Sequence, residues 1–375
     1  MDLSPTPAEG AFREDARAWL ATNKPELPMP SGETAEGFAV HRAWERRLFE
    51  GGWSVVSWPR EYGGRDATLW EWVIFEEEYY AAGLPQRVAQ NGIFLLAPTI
   101  FELGTQEQKE RLLPRMAGVE DMWCQGWSEP GAGSDLAAIT SRAARDDAGG
   151  WRLTGQKTWT TRGAFCTHLF GLFRTDPDAE RHRGMTYFLV DLKTPGVTVR
   201  PVDKFDGDAG FAEVFFDGAF VPDSDVLGGV DKGWEVAMAT TGSERGLSLR
   251  SPGRFLAVVD RLVTQYRETP DPSLRSEVAD GWMAAQAYKL ATDMTVTRLA
   301  AGDKLGAESS LSKVFWSELD IALHGTALRL LGDDGALEGP WMKGFQFALA
   351  GPIYAGTNEI QRNIIAERLL GLPRK

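Results

Sequence analysis

Over roughly the first 120 residues, apolar side chains recur every three to four positions, in segments 12–20, 38–50, 70–82 and 93–101. That spacing predicts helices, separated by Pro-, Gly- and Asp-rich stretches such as 58–66. From Met122 the texture changes to short alternating runs at 151–153, 167–173, 185–192, 197–201 and 212–216, each bounded by Gly, Asp or Pro. These read as strands. After Gly233 the helical period returns at 235–241, 255–266, 277–299, 309–331 and 358–370, with the polar stretch 268–275 as an interhelical loop. The pattern predicts an α+β multidomain chain: a helical layer over 1–121, a β barrel or sandwich over 122–230, and a helical bundle over 231–375. Paired aromatics in the last part, Phe315 with Trp316 and Phe345 with Phe347, fit an apolar helix face for subunit packing.

Composition narrows the function. With 375 residues, 43% of them hydrophobic, the chain has enough apolar material for more than one core. No apolar run approaches the roughly 20 residues of a membrane helix, and the first ten residues are polar and acidic, which places the protein in the cytoplasm. Two cysteines, Cys124 and Cys166, make no disulfide framework, and four histidines without ligand spacing call for no metal. Forty basic against 53 acidic residues, a net charge of −13, argues against nucleic acid as a partner. An anionic ligand therefore needs a local pocket of basic groups or backbone N–H donors.

Two segments offer such chemistry. Trp123-Cys-Gln-Gly-Trp-Ser-Glu-Pro-Gly-Ala-Gly-Ser-Asp135 is a Gly-rich turn flanked by hydroxyls, whose glycines let backbone N–H groups come close to a ligand. Gly155-Gln-Lys-Thr-Trp-Thr-Thr161 sets an indole and hydroxyls on a predicted strand where they can meet that turn. Each alone is equally a loop tip or a half-buried strand tryptophan.

Together with a third segment, Ile353-Tyr-Ala-Gly-Thr-Asn-Glu-Ile-Gln361, they occur in this order in the acyl-CoA dehydrogenases, which the chain resembles from about residue 10 to residue 373. Trp58-Pro-Arg-Glu-Tyr-Gly-Gly64 and Gly104-Thr-Gln-Glu-Gln-Lys109 extend the match into the amino-terminal helices. The resemblance implies an FAD cofactor. It puts Gln125, Gly126, Trp127, Ser128, Gly133 and Ser134 at the flavin's pyrimidine edge, Trp159, Thr160 and Thr161 over the ring, and Thr357 and Glu359 at further FAD contacts. Fixed donors there stabilise the negative charge that reduction brings. Ser134 would also reach the substrate chain, and Ile93 to Leu96, including Leu95 and Leu96, with Tyr354 would line the acyl pocket. The implied activity is α,β-dehydrogenation of an acyl-CoA or carrier-protein thioester in fatty-acid or lipid metabolism. An electron-transfer flavoprotein or similar carrier would reoxidise the enzyme, which would be a homo- or hetero-oligomer built as a dimer of dimers.

The sequence departs from the family in two places. The catalytic carboxylate usually stands within I-Y-E-G-T, where this chain has Ala355. In the isovaleryl- and long-chain enzymes the base instead precedes a family arginine, which makes Glu244 beside Arg245 the base here and leaves Ala355 its backbone N–H toward the thioester carbonyl. The second departure is the R-x-x-F-G stretch, missing from Tyr266-Arg-Glu-Thr-Pro-Asp-Pro-Ser-Leu-Arg275, and a Q-x-x-G-G-x-G stretch reduced to Arg329-Leu-Leu-Gly-Asp-Asp-Gly335. Both normally complete the flavin site of a neighbouring subunit. Three readings stay open: the dehydrogenase, a structural or FAD-sharing subunit of a heterotetramer, and a flavin oxidase or monooxygenase. Small residues at Gly242 and Ala355 would widen the pocket for a branched or ring-bearing acyl group.

Overall fold

The computed structural model describes residues 4–147, 149–245, 251–303 and 306–374, and of residues 243–245 the backbone alone. The chain divides into two units, one of Pro28–Asp66 and Gln86–Ser243, the other of Met1–Leu27, Ala67–Pro85 and Glu244–Lys375. In order the helices are α1 (Pro7–Asn23), α2 (Ala35–Glu50), α3 (Leu69–Ala81), α4 (Ala97–Leu103), α5 (Gln106–Ala117), α6 (Gly233–Arg245), α7 (Pro252–Glu268), α8 (Arg275–Ala300), α9 (Ser309–Leu331), α10 (Pro340–Ala348) and α11 (Asn358–Ile364). Several starts are written locally. Thr6 with Glu9, Thr68 with Glu71 and Thr105 with Gln108 form reciprocal capping boxes, in which each threonine hydroxyl accepts the third amide of its helix and the third side chain accepts the threonine amide. A π-helical turn, Asn91–Leu96, runs directly into α4.

The first unit holds the strands β1 (Trp123–Gly126), β2 (Arg142–Asp146), β3 (Gly150–Lys157), β4 (His168–Arg174), β5 (Met185–Asp191), β6 (Val197–Val202), β7 (Phe211–Pro222) and β8 (Val226–Leu227). They form one eight-stranded sheet ordered β6-β7-β3-β2-β4-β5-β8, with β1 running parallel to β4. Phe173 on β4 and Phe216 on β7 stand three places apart in that order, yet their rings meet edge to face at 5.0 Å. The sheet therefore curls around a shared core of Leu153, Leu169, Phe173, Phe188, Val214 and Phe216. In the second unit α7, α8 and α9 pack side by side on Phe255, Val259, Leu262, Tyr288, Trp316, Leu319 and Leu323.

The main periodic segments appear as expected, and the differences have local causes. The alternating patterns at 142–146 and 123–126 are short and mixed, but both pair within the sheet as β2 and β1. Residues 158–161 were expected on a strand; β3 ends at Lys157, and Trp159 and Arg162 take left-handed backbone with φ of 56° and 53°. α5 and α10 form where no helix was read, α5 behind its capping box. Trp316 belongs to the core at 2% exposure, whereas its neighbour Phe315 is 41% exposed. Among the described residues no helix is long and apolar enough to cross a membrane.

Candidate functional site

In the sheet unit, the two Gly- and Trp-bearing segments are locked together by buried charge. The Lys157 ammonium, fully buried, donates to Glu129 Oε1 at 2.8 Å. The same carboxylate accepts from the Thr140 amide at 2.6 Å, the Thr140 hydroxyl at 2.8 Å and the Ser141 amide at 3.0 Å. Burial pushes the Glu129 carboxyl up, but Lys157 and these donors outweigh it and hold the group down at about 2. Burial pulls the Lys157 ammonium down to about 8, against the attraction of Glu129. Beside the pair, the Thr158 amide donates to Ser128 O at 2.9 Å. Glu129 in the first motif and Lys157 in the second are not among the residues that the resemblance assigns to the flavin; charges of opposite sign in the two motifs are the sequence signal for the pair. Their role is to dock one segment on the other.

What this docking presents is an indole. Trp159 is 62% exposed, and its ring meets that of Phe211 edge to face at 5.7 Å. Its left-handed backbone costs about 1–2 kcal/mol for a non-glycine residue. It is held by the paired bonds between Thr160 and Ala212, whose amides each donate to the other's carbonyl at 3.0 and 2.9 Å. A large aromatic ring kept exposed on strained backbone fits a planar ligand stacked on it. The turn agrees. A Cβ added at Gly131 or Gly133 would meet nothing within 4 Å, so packing among the described residues does not require glycine at either, whereas a close-lying ligand would. Ser134 is exposed next to them. Within these segments Trp127 Nε1 and Thr160 Oγ1 are buried without a hydrogen-bond partner among the described residues. The residues present thus suit an FAD. Gly126 is different: a Cβ there would lie 2.5 Å from Leu169 Cδ1, so the β1–β4 packing by itself already requires glycine at this position. Gln125 is half-buried on β1, and Trp127 packs edge to face on Tyr187 at 6.1 Å. Leu95 and Leu96, on the π-helical turn, are 2% and 0% exposed.

In the helical unit the third motif forms a tight turn into α11. Ala355 and Gly356 both have positive φ, 57° and 78°, a reversal that brings the chain round to Thr357. Thr357 caps α11 by accepting the Ile360 amide at 3.3 Å. The turn is braced from both ends. Gln361 Nε2 donates to Ala355 O at 3.1 Å, and the Asn358 amide donates to Pro352 O at 2.8 Å. From α9, the fully buried Lys313 donates to Asn358 Oδ1 at 2.7 Å, with Ser317 beside it at 3.2 Å. Tyr354 stacks on Trp316 at 5.8 Å and leans on Phe347 at 6.3 Å, so its ring is half-buried in the helical core. Glu359 is exposed. Behind Tyr354, Arg254 donates to Asp320 at 2.7 Å; burial opposes the Asp320 charge, but the guanidinium and His324 hold the carboxyl at about 2. Asn358 lies within the third motif, whereas Lys313, Arg254 and Asp320 belong to no motif.

Glu244 and Arg245 close α6, and their side chains lie outside the described residues. At Gly242 an added Cβ would meet no described atom within 4 Å. At the second departure Asp333 and Asp334 are exposed, and Gly335 is required by packing, since a Cβ there would lie 2.3 Å from Leu328 O. Two exposed carboxylates disfavour a pyrophosphate at this point.

The chain matches three family models: acyl-CoA dehydrogenase, N-terminal domain, over residues 6–120; middle domain over 124–219; and C-terminal domain over 231–370. It is 39% identical to the acyl-CoA dehydrogenase IpdE1 of Mycobacterium tuberculosis, over 97% of this chain and 98% of that protein. Among solved structures it resembles the Tcur3481-Tcur3483 steroid ACAD, with a TM-score of 0.89 and 27% identity over the full length of both chains. It also resembles the ChsE4-ChsE5 complex from Mycobacterium tuberculosis, with a TM-score of 0.84 and 28% identity, again over both full lengths.

Proposed function

Because this chain belongs to the acyl-CoA dehydrogenase family over nearly its whole length, we propose that it oxidises a ring-bearing acyl thioester at its α,β bond, with Glu244 as the base. Members of the family are FAD-dependent oxidoreductases acting on acyl-CoA. FAD, when bound, accepts the hydride that leaves the β carbon. The observation that carries the reading is the docking of the two motifs by Glu129 and Lys157, which ties the segment bearing the exposed Trp159 to the turn bearing the open Gly133. Gln125 to Ser128, Gly133 and Ser134 then hold the pyrimidine edge, and Trp159 to Thr161 cover the ring.

Glu244 removes the α proton. The Ala355 N–H donates to the thioester carbonyl and so acidifies the carbon that Glu244 attacks. The left-handed turn at Ala355, braced by Gln361, holds that donor in a fixed direction. The absence of any described atom within 4 Å of a Cβ at Gly242 and, separately, the missing side chain at Ala355 each favour a bulky acyl group, and the steroid in the name of the Tcur3481-Tcur3483 enzyme supports a polycyclic one. CoA is the carrier this reading takes, in the cytoplasm, with an electron-transfer flavoprotein as acceptor.

A second reading concerns assembly. The absent R-x-x-F-G stretch and the exposed Asp333 and Asp334 leave part of an FAD site for another chain to supply, as in a heteromeric dimer of dimers. The ChsE4-ChsE5 pair is a complex of that general kind by its name.

The test is anaerobic titration of the flavin-loaded protein with isovaleryl-, octanoyl- and cyclohexanecarbonyl-CoA and a steroid side-chain CoA thioester. Bleaching by the steroid thioester, abolished in Glu244→Gln, is the expected result. Bleaching that survives in Glu244→Gln removes Glu244 as the base, and preference for octanoyl-CoA removes the bulky substrate. A colourless chain that takes up flavin only with a partner chain establishes the heteromer. Peroxide released under air marks the oxidase reading.

A further inference from the structure

Three hydroxyls form a closed cluster in the interior of the sheet unit. Thr99 on α4 and Thr240 on α6 share a hydrogen bond at 2.9 Å, and the Tyr187 hydroxyl on β5 meets Thr240 at 3.3 Å. All three residues are at most 1% exposed. Thr99 can also donate to Leu95 O at 3.1 Å, and Thr240 to Val236 O at 3.0 Å. A single donor chain, Tyr187 to Thr240 to Thr99 to Leu95 O, gives each of the three hydroxyl protons an acceptor, so the cluster is satisfied rather than a polar defect.

Its members touch the elements that the proposed reaction uses. Tyr187 supports the ring of Trp127 edge to face at 6.1 Å. Thr99 holds the carbonyl of Leu95 on the π-helical turn. Thr240 stands four residues, one helical turn, before Glu244 on the same continuous helix. The start of α6 is also fixed to β5. A Cβ at Gly233 would lie 2.8 Å from Met185 O, and the Asp231 amide donates to Thr186 Oγ1 at 2.8 Å. One contact at the start of a helix leaves it free to pivot and roll. A second, directional contact two turns further along, on the same strand, removes both freedoms.

We propose that Thr240 is a positioning residue: through its hydroxyl contacts to Tyr187 and Thr99 it fixes the axial rotation and depth of α6, and with them the placement of Glu244. This rests on Glu244 being the base. Displacement of a reacting group by about 1 Å lowers rate by roughly 100-fold, so loss of the hydroxyl is read as a rate effect.

The experiment uses the flavin-loaded enzyme, with its partner chain if it has one, and whichever thioester of the panel above bleaches it fastest. Thr240→Val keeps shape and removes the hydroxyl; Thr240→Ser keeps the hydroxyl. Thr240→Val is expected to slow limiting flavin reduction by about 10- to 100-fold, with apparent thioester affinity and flavin content little changed. An increased isotope effect is expected with α-deuterated thioester, and Thr240→Ser is expected to restore most of the rate. A wild-type rate in Thr240→Val, or a serine variant as slow as the valine one, overturns the proposal. If Thr240→Val fails to fold, Thr99→Val reads the same linkage from its outer member, and a wild-type rate there overturns it. Glu244→Gln is run in parallel. Full activity in that variant removes the base on which the proposal rests, whereas an inactive Glu244→Gln beside a fully active Thr240→Val removes the positioning role alone.

Discussion

Replacing Lys157 by methionine removes one member of the buried pair that docks the two flavin segments and leaves the other. Glu129, 6% exposed, keeps the Thr140 and Ser141 amides and the Thr140 hydroxyl but loses its counter-charge. Breaking such a pair on one side costs about 3–5 kcal/mol, because a buried charge is left uncompensated. Replacing both partners with apolar groups of similar volume costs far less. Lys157→Met is therefore expected to lower stability by about 3–5 kcal/mol, and Glu129→Leu with Lys157→Met by well under the sum of the single changes. Acid gives an independent reading. Glu129 titrates at about 2 in the folded chain against 4.5 as its ordinary value. A depressed carboxyl contributes stability above its unfolded pKa and loses it as pH falls through the folded one. The wild type is expected to lose this contribution progressively between pH 4.5 and about 2, a loss absent from Glu129→Gln. Chemical denaturation of the wild type, Lys157→Met, Glu129→Leu, the double variant and Glu129→Gln, followed by tryptophan fluorescence and flavin release, measures both effects. A cost below about 1 kcal/mol for Lys157→Met, or a double variant as unstable as the sum of the singles, refutes the account of the pair as a docking device.

Trp159→Ala is expected to change stability by less than about 0.5 kcal/mol, since the ring is exposed, while weakening FAD retention measurably in equilibrium dialysis. Gly126→Ala drives a Cβ to 2.5 Å from Leu169 and is expected to cost about 1–3 kcal/mol by thermal denaturation, whatever the flavin content. Arg254→Met strands the Asp320 carboxylate, held at about 2 in the native chain, and is expected to cost about 3–5 kcal/mol at neutral pH. That deficit should shrink in Arg254→Met with Asp320→Leu. Gly242→Leu, at a position where an added Cβ meets no described atom within 4 Å, is expected to shift the kcat/KM ratio from bulky toward straight-chain thioesters without loss of stability.

The order of helices, strands and helices was legible in the sequence because apolar patterning is a local property: a period of 3.6 residues for α7, α8 and α9, a period of two for β7, and short continuous apolar runs for β4 and β5. The family was legible for a similar reason, since three short motifs kept their internal spacing. Local rules also misjudged some stretches. Residues 158–161 have the composition of a strand, but the chain leaves β3 at Lys157 because Trp159 and Arg162 are held in left-handed backbone by bonds to Ala212 and Gly210, some fifty residues away. That Gly126 is also required by packing against Leu169, 43 residues away, is visible only in the structure.

What the sequence by itself determined is therefore the elements, the family and the residue types available for chemistry. Only the tertiary structure decided which residues stand together: Glu129 with Lys157, Lys313 with Asn358, Arg254 with Asp320, and Thr99 with Tyr187 and Thr240. Each of these groupings joins positions 28 to 141 residues apart. Their partners are chosen by where helices and strands pack, and a buried polar group declares its partner only once the surrounding core has removed water as an alternative.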